Sequence, residues 1–567
     1  MDDQGSCQAP SGKEYISFGL SPKVITFVVA PLIAIIPAFV LFGIPALWQT
    51  LGSLFGTYVR RKTEGRRARI LEVIEGDEKQ YWEKQEDKTS DTTSSKGEED
   101  GSWEKIQVES TASAPDGNKL AEDWSGIVGF FHPFCNAGGG GERVLWAAIR
   151  AIQLKWPKAR IVVYTGDHEV NKDQILTRVK SRFNIHLQPH TIQFLYLSTR
   201  HWVLASTWPR FTLLFQSLGS IVLAWDAFSL VVPDIFVDTM GYAFALGFCK
   251  WLFPTIPTGA YVHYPTISTD MLDSLDPNSP LGSQGVNAGQ GVGFKGKVKR
   301  YYWKGFAWLY SKMGTTIDVV MTNSTWTQAH VTSLWGPARR EAEKTDPIAV
   351  VYPPCAVEEL EDAVEVSAAS EAQRGKILLY IAQFRPEKNH QLIVQAFANF
   401  VKSKSEASKE AKLVLVGSVR DDHDSKRVYK LRLFVRELHI EDQVEFRLDA
   451  PWPNILEWLQ KASVGVNGMW NEHFGIGVVE YQASGLIAVV HNSGGPKLDI
   501  VTEVDGQPTG FHASTAEEFA EGFEKALSLP DPLAVRLRAR QSAKRFGEVE
   551  FDRKWIEQMD KLVALTK

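Results

Sequence analysis

From Val24 to Trp48 the chain carries no charged residue over 25 positions. As a helix rising 1.5 Å per residue, that run would extend about 37 Å, enough to cross a bilayer with tilt. Pro31, Pro37 and Pro45 would kink it, which membrane helices tolerate. A cleaved signal peptide is the competing reading, but the run is longer than such an apolar core and no small-residue cleavage site ends it. From about Glu72 to Asp123 the pattern lapses into Glu, Asp, Lys, Ser and Thr, and so few apolar positions cannot offset the entropy of ordering. A flexible tether is expected. Beyond it, short β-type apolar runs alternate with helical patterns: Ile127 to Phe131, Ile161 to Tyr164, Ile192 to Leu197, Ile235 to Val237, Tyr261 to Val262 and Val319 to Met321. Such alternation predicts a parallel sheet with helical crossovers. A second series, Ile377 to Ala382, Leu413 to Val416, Val444 to Phe446, Val464 to Val466 and Ile487 to Val490, predicts a second α/β domain. The intervening residues from Glu341 to Arg374 are polar and irregular apart from Ile348 to Pro354, as a linker strand and loop would be.

The expected fold class is therefore α/β: two Rossmann-like domains behind an N-terminal transmembrane helix. Its divisions are a tail over 1–20, the membrane helix over 21–50, a basic then acidic flexible tether over 51–122, a first domain over 123–345, a linker over 346–374, a second domain over 375–530 and helices over 531–567. An active site is expected in the cleft between the sheets, at the carboxyl ends of their strands. Two apolar, aromatic stretches interrupt the first domain, Phe211 to Phe228 and Met240 to Phe253, with one charged residue each, Asp226 and Lys250. They are short for membrane spans and predict core or interfacial helices dipping into the membrane surface. Asp276 to Phe294, rich in Gly, Ser, Asn and Pro, reads as a mobile loop.

Charge sets the orientation. Arg60, Arg61, Lys62, Arg66, Arg67 and Arg69 follow the apolar run while only Lys13 and Lys23 precede it, so the following domains are expected in the cytoplasm and the tail in the lumen. A formal net charge of −5 from 62 basic and 67 acidic residues supplies no global attraction to nucleic acid. The 18 Trp and 30 Phe favour contact with lipid. Four widely spaced cysteines, with no C-x-x-C pair, suit a reducing compartment and no zinc site. Cys135 is expected to be a buried structural thiol.

Three segments could carry chemistry. Asn136 to Arg143, with Gly138, Gly139 and Gly140 at its centre, follows the Ile127 strand and opens a helix, a geometry in which backbone amides meet an anion. The alternative is a tight turn. Glu472-His473-Phe474-Gly475-Ile476-Gly477-Val478-Val479-Glu480 places two carboxylates across a glycine-containing helix start. Glu472 would lie where a sugar sits, the amides of Gly475, Ile476 and Gly477 would meet a diphosphate or a sugar hydroxyl, and Glu480 would accept from ribose hydroxyls. Against this, an acidic residue near a helix start can simply oppose the dipole. After the first strand of the second domain, Arg385 and Lys388 could neutralise a departing nucleoside diphosphate without a metal. His263 ends a predicted strand facing the cleft. Asp421-Asp422-His423-Asp424 reads as a charged turn before a helix, so no metal site is expected.

In kind and order these motifs resemble those of the retaining glycosyltransferases of the two-Rossmann GT-B type that carry an E-x7-E motif. More narrowly, Phe131-His132-Pro133 through Gly141-Glu142-Arg143-Val144-Leu145-Trp146, Tyr261-Val262-His263-Tyr264-Pro265, Thr322 to Thr327 and Asn492-Ser493-Gly494-Gly495-Pro496 resemble the endoplasmic-reticulum α-1,2-mannosyltransferases of the dolichol pathway, from about Trp124 onward. The resemblance implies GDP-mannose as donor and addition of the fourth and fifth mannoses to a dolichyl-diphosphate-linked trimannosyl chitobiose, with retention by front-side attack. It implies that Arg385 and Lys388 hold the diphosphate, Glu480 the ribose, Glu472 the mannose hydroxyls and His263 the transferred mannose. Phe474 falls in the same donor-binding stretch, and Gly138 to Gly140 would border phosphate and acceptor. It further implies that 531–567 return to the first domain, that no metal is needed, and that the enzyme sits in the endoplasmic reticulum membrane by a single pass, its catalytic domains cytosolic. Other mannosyltransferases of the pathway are candidate partners. The catalytic motifs alone barely separate this activity from an α-1,3/1,6 lipid-linked mannosyltransferase. A catalytically silent scaffold subunit is the reading from a different class.

Overall fold

The computed structural model describes residues 45–91, 124–276, 278–279 and 292–566. The first sheet comprises β1 (Ile127–Phe131), β2 (Arg160–Thr165), β3 (Ile192–Tyr196), β4 (Ile235–Asp238), β5 (Thr258–Val262), β6 (Val319–Thr322) and β7 (Ala349–Val350). The second comprises β8 (Ile377–Ile381), β9 (Lys412–Gly417), β10 (Val444–Leu448), β11 (Val464–Asn467), β12 (Ile487–His491) and β13 (Gly510–Ala513). Their orders are β3-β2-β1-β4-β5-β6-β7 and β10-β9-β8-β11-β12-β13, and the paired strands run parallel, Val128 lying between Ile161 and Ile235. Helices cover both faces, so the strands bury continuous apolar runs: all five residues of β1 and of β12 are buried. In each sheet the chain steps outward from the first strand and then returns to its other side. The loops after β1 and β4, and after β8 and β11, therefore open at the two switch points.

The segment around Ile348 is more than a linker. Its β7 pairs with β6 and completes the first sheet, while Val357 and Leu360 of the following helix join the second domain's core. This short pairing falls within Ile348 to Pro354, where a linker strand is expected. The last helix, Glu548–Ala564, buries Trp555, Met559 and Leu562 in the first domain's core beside Phe130 and Tyr261. Its Asp552 and Glu548 engage Arg150 and Arg143.

The largest departure from expectation lies over 51–91, read as part of a tether. Here Pro45–Asp91 is one helix lying along the first domain. It buries Val59 and Ile74, stacks Trp48 on Trp251 with ring centroids 4.8 Å apart, and sets Gly52 and Gly56 against the backbone of Trp251 and Leu252, where a Cβ would collide. Polar contacts do the rest. Arg66 donates to the carbonyls of Ser229 and Leu230, and Arg67 to that of Val232 at 3.0 Å and to Asp234 at 2.7 Å. Glu78 pairs with Arg160 at 2.8 Å. A helix held mainly by charges at another helix's carboxyl end has no apolar stripe to announce it. The expected tail (1–20), the greater part of the membrane span (21–44) and the rest of the tether (92–122) lie outside the described residues, as do 277 and 280–291 of the expected mobile loop.

The two apolar stretches form the helices Thr212–Leu230 and Ala243–Leu252. Among the described residues, Thr212–Leu230 is the one helix long and apolar enough to cross a membrane, by length and composition only. One of its faces, with Leu223, Ala227 and Phe228, is built into the first core. Cys135, Cys249 and Cys355 are buried free thiols. In Asn323-Ser324-Thr325, which has the form of an N-glycosylation sequon, Asn323 is buried and Ser324 caps the Thr325–Glu341 helix, which removes the triplet from solvent.

Candidate active site in the interdomain cleft

The switch point of the second sheet carries the charged groups. Arg385 and Lys388 follow β8, and Glu472 follows β11. Lys388 Nζ forms an ion pair with Glu472 and lies 3.2 Å from Met469 Sδ. Burial raises the Glu472 carboxyl, but Lys388, with lesser help from His473 and Asn467, outweighs it and holds the group below the usual carboxylate range. The loop is braced from behind: Gly495 N–H donates to Glu472 O at 2.8 Å, and Gly494, at φ +67°, sits where a side chain would strike Glu472's backbone. Arg385 Nε is shielded from water and has no hydrogen-bond partner among the described residues, while its Nη1 lies 3.8 Å from Glu387. A guanidinium left in that condition suits an anionic ligand.

Gly475, at φ +107°, caps the helix Ile476–Ala483, so the amides of Ile476 and Gly477 stand free at a helix start, where an anion is favoured. Phe474 departs from the expected role. Its ring is buried between Tyr352 and Phe546 in the second core, because the left-handed turn at Gly475 sends it inward, and only its main chain can serve the site. Glu480, one turn into the helix, is pushed up to about 7 by burial, against the pull of Arg143 from the first domain.

Across the cleft, His263 ends β5. Its Nε2 is shielded from water without a hydrogen-bond partner, and burial with the neighbouring His132 pushes the ring down to about 4, which leaves it neutral at physiological pH. A Cβ placed on Gly141 would lie 3.6 Å from that nitrogen, and one on Gly140 would lie 2.8 Å from Ile476 Cδ1 of the opposite domain. The glycine loop is thus the place where the domains approach each other. It is not a bare anion nest: Glu142 folds back to accept from Gly139 N–H at 2.5 Å and lies 3.6 Å from His132 Nε2. One amide assigned to phosphate is therefore taken, by a carboxylate. The glycine three residues before Glu142, a capping-box spacing, was the available signal.

Several residues escaped the sequence reading. His473 stacks on Tyr264 at 4.1 Å and against Trp326 at 5.4 Å, bridging the domains. Asn471 donates to Asp270 at 2.5 Å, and Thr325 N–H to Asp499 at 3.1 Å. Asp421, as expected of a charged turn, caps the helix Asp422–Glu437.

Residues 125–335 match the family described as ALG11 mannosyltransferase N-terminus, and 364–546 match glycosyl transferases group 1. A Neurospora crassa protein named GDP-Man:Man(3)GlcNAc(2)-PP-Dol alpha-1,2-mannosyltransferase is 68% identical over 95% of this chain and 97% of its own. A Homo sapiens protein of the same name is 45% identical over 77% of this chain and 87% of its own. Among solved structures, a sucrose-phosphate synthase from Thermosynechococcus elongatus superimposes with a TM-score of 0.54 at 14% identity, covering 77% of this chain and 99% of that one. At that identity it speaks for the two-domain fold alone.

Proposed function

The chain belongs to the family of the GDP-Man:Man(3)GlcNAc(2)-PP-Dol alpha-1,2-mannosyltransferases, and from that premise we propose that it transfers mannose from GDP-mannose to a dolichyl-diphosphate-linked trimannosyl chitobiose. The observation that carries the reading to this site is the Lys388–Glu472 pair at the second sheet's switch point, with the unpartnered Arg385 Nε beside it in sequence and the unpartnered His263 Nε2 on the opposite domain. In this reading Arg385, Lys388 and the free amides of Ile476 and Gly477 hold the diphosphate. Glu480 takes the ribose, and Glu472 with His263 takes the mannose hydroxyls. The bond from mannose C1 to the β-phosphate oxygen breaks as the bond from C1 to the acceptor oxygen forms. Because Glu472 is committed to Lys388 and burial makes His263 a weak base, the departing diphosphate oxygen takes the acceptor's proton, on the same face, and configuration is retained. Two cationic side chains supply the charge for the leaving group, so no metal is required.

The reading places the domains on the cytosolic face of the endoplasmic reticulum membrane behind one span. Lipid contact is supported by the helix Gly293–Gly314, which turns Phe294, Tyr301 and Trp308 outward among lysines, and by Leu47, Leu51, Leu54 and Tyr58 exposed at the start of the first helix. The test is transfer from labelled GDP-mannose to the synthetic lipid-linked acceptor. Two α-1,2-linked mannoses, made equally with chelator present and lost in Glu472→Ala and Lys388→Ala, are expected. Absence of transfer by the intact, membrane-reconstituted protein sinks the donor–acceptor assignment.

A further inference from the structure

Beside the charged pair lies a cavity of about 480 Å³ lined from both domains, within the range of about 300–1,000 Å³ typical of small-ligand sites. Its walls are of two kinds. Tyr264 and Trp326 of the first domain lie parallel, 5.9 Å apart with 10° between their planes, and His473 of the second stacks on both. Trp470 lines the cavity next to them and is partly exposed. Asp270 lines the same cavity, held by Asn471 through Oδ2, the same oxygen that lies 3.7 Å from His330 Nε2. Its Oδ1 carries no hydrogen bond among the described residues.

Aromatic faces next to a carboxylate and an amide suit a ligand with apolar ring faces and many hydroxyl donors, which describes a neutral sugar. Asp270 and Glu387 on the wall disfavour a phosphate, and the same two carboxylates, with Asn389 and Asn471 beside them, disfavour a lipid chain. In the reading above the donor's diphosphate lies at Arg385 and Lys388, its ribose at Glu480 and its mannose at Glu472 and His263, and none of these five residues lines the cavity. One wall element is also tied to the helix that the reading above sets against lipid. Asp270 and Met271 belong to the short helix Thr269–Asp273, and Asp276 just beyond it is ion-paired at 2.5 Å to Arg300, on the helix whose aromatics face outward.

We infer that this cavity is the subsite for the oligosaccharide of the lipid-linked acceptor, with Asp270 accepting hydrogen bonds from its hydroxyls and Trp470 lying against a ring. The inference rests on the mannosyltransferase reading above. Steady-state kinetics of the full-length, membrane-reconstituted protein with GDP-mannose and lipid-linked trimannosyl chitobiose, together with direct binding of GDP, tests it through Trp470→Ala and Asp270→Asn. The second variant keeps an acceptor for Asn471 and guards against misfolding. Loss of a hydrogen bond to a charged group predicts an acceptor KM raised about tenfold or more, with the Kd for GDP and the KM for GDP-mannose within twofold of wild type. An acceptor KM that stays within twofold in both variants overturns the subsite while leaving the transfer reading intact. A shift in the GDP-mannose constants instead assigns the cavity to the donor and also overturns it. Failure of the wild type to transfer at all removes both readings.

Discussion

Replacing Lys388 with Met removes the ammonium from Glu472 but keeps most of the side chain's volume. In the wild type the Glu472 carboxyl is held below its ordinary value, so the pair's stabilisation is fully present above the unfolded pKa and disappears as pH falls through the lower folded one. Without Lys388 the leading remaining influence is burial, which raises that pKa. The sign then reverses: the folded state prefers a protonated Glu472, and stability falls as pH rises through the carboxylate range. Breaking a buried pair by removing one partner costs about 3–5 kcal/mol. The side chains are 23% and 14% exposed, which favours the lower end, about 3 kcal/mol at pH 7. For a domain of this size that is roughly 6–12 °C in the melting temperature of the second domain. Thermal unfolding between pH 4.5 and 8 checks it for the wild type, Lys388→Met, and Lys388→Met with Glu472→Gln. The single variant should lose most at high pH, and the double variant should recover much of the loss because no charge is left buried. An equal loss at every pH, or a double variant no better than the single, would refute the electrostatic account and leave only a packing defect.

Glu480, pushed up to about 7, should make GDP affinity rise with pH between 6 and 8 as the carboxylate that accepts from ribose forms; Glu480→Gln should flatten this dependence in a binding titration. Gly140→Ala sets a methyl 2.8 Å from Ile476 Cδ1 in the opposite domain. It should lower kcat/KM several-fold with an unchanged melting temperature, and Ile476→Val in the same chain should restore part of the loss. Arg67→Ala leaves Asp234 and the Val232 carbonyl without their cationic partner. A loss of about 1–3 kcal/mol and earlier proteolysis within 45–91 are expected, and protection equal to wild type would show that the Gly52 and Gly56 contacts suffice.

What could be read from the chain, and what could not, divides by the range of the interactions. Arg385, Lys388, Glu472 and His263 are legible as candidates because strand periodicity places them just after strand ends, the first three at the second sheet's switch point, and in parallel sheets such ends are where ligands bind. That rule needs only local pattern and topology. Direction within a loop needs more: Phe474 lies in the right loop, yet the left-handed residue Gly475 behind it turns the ring into the core. Glu142 and His132 likewise come together only when β1 and the following helix are placed side by side.

The remaining omissions are all residues whose partner belongs to another part of the fold. Asp270 meets Asn471, His473 meets Tyr264, and Arg66 and Arg67 meet a helix end more than 160 residues away. No periodicity marks a residue that is conspicuous only through such a partner. The charged Pro45–Asp91 helix is the extreme case, since composition argues for a tether wherever order is supplied by carbonyls elsewhere. The same logic ties the two domains to one another. The groups that cross the cleft (Gly140 to Ile476, Arg143 toward Glu480, Asp270 to Asn471) ring the place where donor and acceptor must meet. A substrate that strengthens any of them favours the closed arrangement by its differential affinity for it. Closure and recognition are therefore served by the same side chains, and a substitution at Gly140 or Arg143 should move the constants of both substrates in the same direction, whereas one at Asp270 or Trp470, which touch the acceptor alone, should move only the acceptor's.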